Sequence, residues 1–171
     1  MLMTTLLLGV IALAPEIIAI MAGEKYAEAV WVVPPVTMSL LLLFYSQLFI
    51  NVQFFYEEKT MLVWGSVGAA LLNVVLNWLL IPRFGYIAAG YTTLVSYIAF
   101  AVANYFTMSV VLKRQNKKNE AYDIRALAVI FLVFLALAFL AMALYRQPVI
   151  RFSIIGLTIL MMAVKHKQVI A

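Results

Sequence analysis

The side chains of this chain that could do chemistry are amides and hydroxyls set at helical intervals. Ser66, Asn73 and Asn77, with Ala69 and Ala70 between them, fall within roughly a 100° arc of one helix. Downstream, Gly90, Thr93, Tyr97, Ala101 and Asn104 repeat the pattern, and upstream Gln47 and Asn51 stand one helical turn apart. Uncharged groups of this kind suit the many hydroxyls of a sugar, and a tyrosine face can stack on a pyranose ring. The same stripes can also serve as contacts between helices. Small residues let two helices approach, and a hydrogen bond across a membrane interface contributes about 0.6 kcal/mol on average. From the residues alone both readings stand, a wet cavity and a packing seam.

Catalytic constellations are not expected. His166 is the single histidine and sits in a tail between Lys165 and Lys167, while Glu57 and Glu58 beside Lys59 read as a charged turn. Glu16 falls in a short link at the end of an apolar run. The chain has no metal-ligand spacing, no phosphate-cradling glycine loop and no Ser/His/Asp set. It has no cysteine, which removes disulfides and thiolate metal sites. The expectation is a non-enzyme with no metal and no cofactor. With no Asp, Glu, Lys, Arg or His near the centre of any apolar run, neither a proton relay nor a buried ion pair is expected.

These groups need elements to hold them, and composition says which. Of 171 residues, 67% are apolar and 11% charged, against roughly 45–50% and 25% in soluble proteins. The charges cluster between apolar runs of about 17 to 27 residues, long enough to cross a bilayer. In hydrocarbon a spanning segment must be a helix or a closed barrel, and the runs lack the period-2 alternation of barrel strands. The fold class is therefore an all-α, polytopic transmembrane helical bundle of about six spans.

The first span covers 1–22 and is interrupted by Pro15, which leaves its first part about 21 Å long, short of a bilayer core of roughly 30 Å. Pro15 and Glu16 are then suited to open a separate short helix; a single kinked span is the alternative. Ala12, Leu13 and Ala14 look like a signal-peptide cleavage site, but no basic residue precedes Lys25 and Pro15 would follow the cut. The remaining helices are expected at 30–55, at 61–81 with a stop at Pro82 and Gly85, at 86–112, at 124–145 and at 149–164. Trp31, Trp64, Trp78, Tyr86 and Tyr145 near the ends fit interfacial belts. Organisation follows from this: a polar-faced four-helix portion (1–112), a basic loop (113–123), and an apolar helix pair with a tail (124–171).

Alternating the sides of the membrane sorts the basic residues. Lys59, Lys113, Arg114, Lys117, Lys118, Arg125, Lys165 and Lys167 share one side, and Lys25, Arg83, Arg146 and Arg151 the other. The richer side is cytoplasmic by the positive-inside rule, so both termini are expected there. The net charge of +5 is thus a matter of orientation and does not indicate a nucleic-acid partner.

Two blocks of residues resemble a known family. Residues 68–85, in which Asn73 and Asn77 precede Ile81-Pro82-Arg83-Phe84-Gly85, followed by Ala88-Ala89-Gly90-Tyr91-Thr92-Thr93, are similar to the C-terminal half of polysaccharide flippases of the multidrug/oligosaccharidyl-lipid/polysaccharide exporter superfamily. Ala14-Pro15-Glu16-Ile17-Ile18, Gly23-Glu24-Lys25-Tyr26 and Ala29 resemble an earlier outward helix end of the same family. The match covers about 13–93. It implies one part of a two-lobe transporter of twelve or fourteen helices, with these spans corresponding to the ninth helix onward and the last two to an appended pair. Met1 would then be an internal start or a fragment boundary.

The implied function is alternating-access transfer of a polyprenyl-pyrophosphate-linked oligosaccharide across the bacterial cytoplasmic membrane for O-antigen, capsule or exopolysaccharide synthesis. The implied partners are that lipid-linked substrate, the bilayer and the N-terminal lobe. On this reading Gln47, Asn51, Ser66, Asn73, Asn77, Thr93, Tyr97 and Asn104 face the sugar path. The chain departs from what a pyrophosphate requires, because no span centre supplies an Arg or Lys; such residues are expected in the N-terminal lobe, or else Arg125 and Arg151 serve from helix ends. A multidrug exporter of the same superfamily, a small membrane scaffold and a membrane-embedded enzyme are the alternatives.

Overall fold

A computed structural model describes residues 2–57, 60–115 and 122–153, and every regular element among them is helical. Helix α1 (Leu2–Ala12) runs into α2 (Ala14–Met21) across a bend of 62°. The cause is local. Pro15 lies in the first turn of α2, where its missing N–H costs least, and the same residue cannot return a hydrogen bond to the Ile11 carbonyl of α1. The interrupted first span is thus observed, and α2 ends before Gly23, whose φ of 77° requires glycine.

A 3₁₀ segment (Glu24–Trp31) leads into α3 (Val33–Phe55), which starts three residues later than expected, with Pro34 and Pro35 placed in its opening turn. Helix α4 (Thr60–Phe84) passes through Pro82, where a stop was expected. One proline in the last turn removes a single hydrogen bond, and the chain still closes with Gly85 N–H donating to the Ile81 carbonyl at 2.8 Å. The terminator is Gly85, at φ 73°. Helix α5 (Ile87–Arg114) ends on two basic residues that complement its dipole. Helix α6 (Ile124–Ala143) is capped by Asp123, whose carboxylate accepts from the amides of Arg125 (3.0 Å) and Ala126 (3.1 Å). A 3₁₀ turn (Leu144–Arg146) follows, and residues 148–153 are helical.

Four helices, α3 to α6, are long and apolar enough to cross a membrane, and the bent α1–α2 pair makes a fifth if counted as one span. The sixth expected span, the tail with His166, and the basic residues Lys59, Lys117, Lys118, Lys165 and Lys167 lie outside the described residues wholly or in the main.

Contacts fix how the helices run. Gly90 at the start of α5 meets Val32 and Pro35 at the start of α3, and Gln53 near the end of α3 meets Asn104, so α3 and α5 are parallel. Tyr45 donates to the Leu127 carbonyl and Trp31 packs against Tyr145, so α6 is antiparallel to α3. The core lies among α1, α3, α5 and α6 and is built on Ile11, Met38, Leu41, Met108, Phe134 and Ala138. Helix α4 packs on α5 and leaves Val67, Leu71, Val75, Trp78 and Leu79 exposed, an apolar face suited to lipid. Helix α6 is also largely exposed, which accords with the absence of polar side chains beyond Arg125 in its first turn.

Candidate functional site

Beside α5 the packing opens into a lateral cleft of about 380 Å³, roofed by Leu43 of α3. Helix α4 contributes Ser66, Ala69, Ala70 and Asn73, and α5 contributes Thr93, Ser96, Tyr97 and Phe100. The i, i+3, i+4 and i+7 spacing on both helices turns these groups to a common face, and the alanines of α4 make the room.

The hydrogen bonds decide what the cleft can offer a ligand. Ser66 donates to the Leu62 carbonyl (2.9 Å), Thr93 to Ala89 (2.8 Å) and Ser96 to Thr92 (2.8 Å). Each hydroxyl has one proton and has spent it on its own helix, so what it can turn outward is an oxygen lone pair. Donors come from elsewhere. Asn77 donates through Nδ2 to Asn73 Oδ1 at 3.0 Å, which leaves the Asn73 amide hydrogens available, and the Tyr97 hydroxyl has no protein partner among the described residues. Thr92 lies against both Asn77 Oδ1 and the Ala89 carbonyl (2.9 Å) and holds the Asn77 amide in place from α5. The cleft is therefore rich in acceptors, carries two sources of donors, and has no charged group in its lining.

Of the eight residues assigned to a sugar path, four line this cleft: Ser66, Asn73, Thr93 and Tyr97. Asn77 stands behind Asn73 as its support. Gln47 and Asn51 lie on the turns of α3 beyond Leu43, exposed and outside the lining. Asn104 goes elsewhere. It is buried against α3, where Gln53 Nε2 donates to its Oδ1 at 3.1 Å, and it works there as a helix contact. Gln53, Thr92 and Ser96 were not foreseen; Gln53 stands two residues beyond Asn51 on the opposite flank of α3, and only the position of α5 selects between them.

A second polar centre lies away from the span centres, at helix ends, where an ion pair was not foreseen. Arg151 is 3% exposed and pairs with Glu16, the residue that opens α2. The two are 135 residues apart, and the pairing becomes visible only when the end of α6 is folded against the bend between α1 and α2. Clusters of three or more His, Cys, Asp or Glu able to hold a metal are absent among the described residues.

Neither the protein-family models nor the curated proteins nor the solved structures contain a match to this chain, so its cleft has to be read from its own geometry.

Proposed function

We propose that the chain is part of a membrane flippase that moves a polyprenyl-pyrophosphate-linked oligosaccharide between leaflets by alternating access, forming helices of its C-terminal lobe. The observation that carries the reading is the uncharged cleft between α4 and α5, with its surplus of acceptors and its few fixed donors. A neutral glycan brings several hydroxyl donors and apolar ring faces, which such a lining can meet through Ser66, Thr93, Ser96 and the Tyr97 ring. A pyrophosphate brings only acceptors and charge, and no cation of the lining answers it. On this proposal the cleft handles sugar, and the pyrophosphate is met by groups of the N-terminal lobe. The two amides serve as a unit, Asn77 orienting Asn73 and Asn73 donating to the substrate.

The test is transfer of a labelled lipid-linked oligosaccharide by the full-length transporter in proteoliposomes. Asn73→Leu with Asn77→Leu is expected to abolish transfer, and Ala70→Trp, which fills the cleft from α4, to block it while the protein still inserts. Transfer at the unsubstituted rate in both variants would remove the cleft from the path.

A further inference from the structure

The second polar cluster joins Glu16 and Arg151 through contacts in which the sugar cleft takes no part. The bend between α1 and α2 leaves the Ile11 carbonyl without the amide hydrogen that residue 15 would supply in an unbroken helix, because residue 15 is proline. The Tyr145 hydroxyl fills that place, donating to the Ile11 carbonyl at 2.8 Å. Six residues further along, in the helical stretch 148–153, Arg151 reaches Glu16 on the other side of the bend. Tyr145 is itself held in position: Trp31, at the end of the 3₁₀ segment, packs against its ring at 5.6 Å, and the Arg151 guanidinium lies 5.9 Å from the ring centre. Both sides of the break, and the segment that returns the chain to α3, are thus gripped by the short stretch 145–151 that follows α6.

We infer that this stretch is a conformational clasp: Tyr145 and Arg151 set the angle between α1 and α2, and opening of the Glu16–Arg151 pair releases it. The pair is built to be released. Arg151 is 3% exposed but the Glu16 side chain is 32% exposed, so one partner already borders the surrounding medium. A pair with one accessible carboxylate can open without first unpacking the helices around it. Release would let α2 and the 3₁₀ segment swing about Leu13 and Pro15, with α1 still held in the core by Leu7 and Ile11. This inference does not depend on what the cleft carries.

The experiment is a spin-label distance measurement on the full chain in lipid nanodiscs, with labels at the exposed positions Leu6 on α1 and Ile20 on α2. The unsubstituted clasp is expected to give one narrow distance distribution. Glu16→Gln and Arg151→Gln are each expected to broaden it towards longer separations, Tyr145→Phe to broaden it less, and Arg151→Lys, which keeps the charge, to leave it narrow. Tyr145→Phe removes a single hydroxyl and reads the clasp even if a charge variant fails to fold. A distribution unchanged by Glu16→Gln, Arg151→Gln and Tyr145→Phe overturns the inference, as does Arg151→Lys broadening as much as Arg151→Gln.

Discussion

Helix α5 has two polar neighbours, and the molecule treats them in opposite ways. Towards α3 it forms a closed seam: Gly90 sits against Pro35 and Val32, and Asn104 is sealed in with Gln53. Towards α4 it forms the open cleft, where Asn73 keeps free donors and Ser66 is exposed. The residue types are the same on both sides. What differs is the cover: Gly90 lets Val32 and Pro35 of α3 come against α5, whereas the small Ala69 and Ala70 of α4 leave room beside Tyr97 and Phe100. An amide pair becomes a fastening or a ligand contact according to whether a neighbouring helix covers it.

The comparison can be broken most severely at Gly90. A Cβ there would stand 3.0 Å from Pro35 Cγ, 3.2 Å from Val32 Cγ1 and 3.3 Å from the Val32 carbonyl, against a ring and a backbone with little room to yield. Gly90→Val is expected to cost about 3 kcal/mol in a denaturant titration of the detergent-solubilised protein, by forcing the seam apart. Next comes Asn104→Leu, expected to cost about 1–2 kcal/mol because it leaves the buried Gln53 Nε2 with only its longer bond, 3.4 Å, to the backbone carbonyl of residue 104. Gln53→Leu with Asn104→Leu should recover most of that loss, since removing both partners leaves no orphan. The cleft pair should respond differently. Asn73→Leu with Asn77→Leu removes two partly exposed amides together with the one bond between them, and Thr92 keeps the Ala89 carbonyl, so the same titration is expected to move by less than about 1 kcal/mol. If the cleft pair proved as costly as the seam pair, the distinction between fastening and site would fail. Smallest of all, Gly68→Ala on α4 has nothing within 4 Å of the new Cβ and is expected to be neutral or to stabilise by up to about 1 kcal/mol through helix propensity.

Much of this was legible in the residues. Helix positions came from apolar runs, and the α1–α2 break from Pro15, because a missing amide hydrogen acts within one turn whatever surrounds it. Pro82 misled for a related reason: it forfeits only its own bond, to the Trp78 carbonyl, and in the last turn few bonds remain to be disturbed, so the helix runs on and Gly85 does the terminating. The polar stripes of α4 and α5 were visible as faces, yet their assignment to one path merged two surfaces. On α5, Thr93 and Tyr97 turn to α4 while Asn104 turns to α3, a division that needs the helix's neighbours to be known.

What the sequence by itself determined is the class of the molecule: a chain of apolar helices whose polar groups are uncharged at mid-span, because hydrocarbon admits only internally bonded backbone and few charges. Tertiary structure alone decided which amides are covered, which face the cleft, and that Glu16 meets Arg151. Periodicity fixes the direction in which a side chain leaves its own helix. Whether it finds a partner, open space or an opposite charge depends on groups up to 135 residues away, whose position is set by packing.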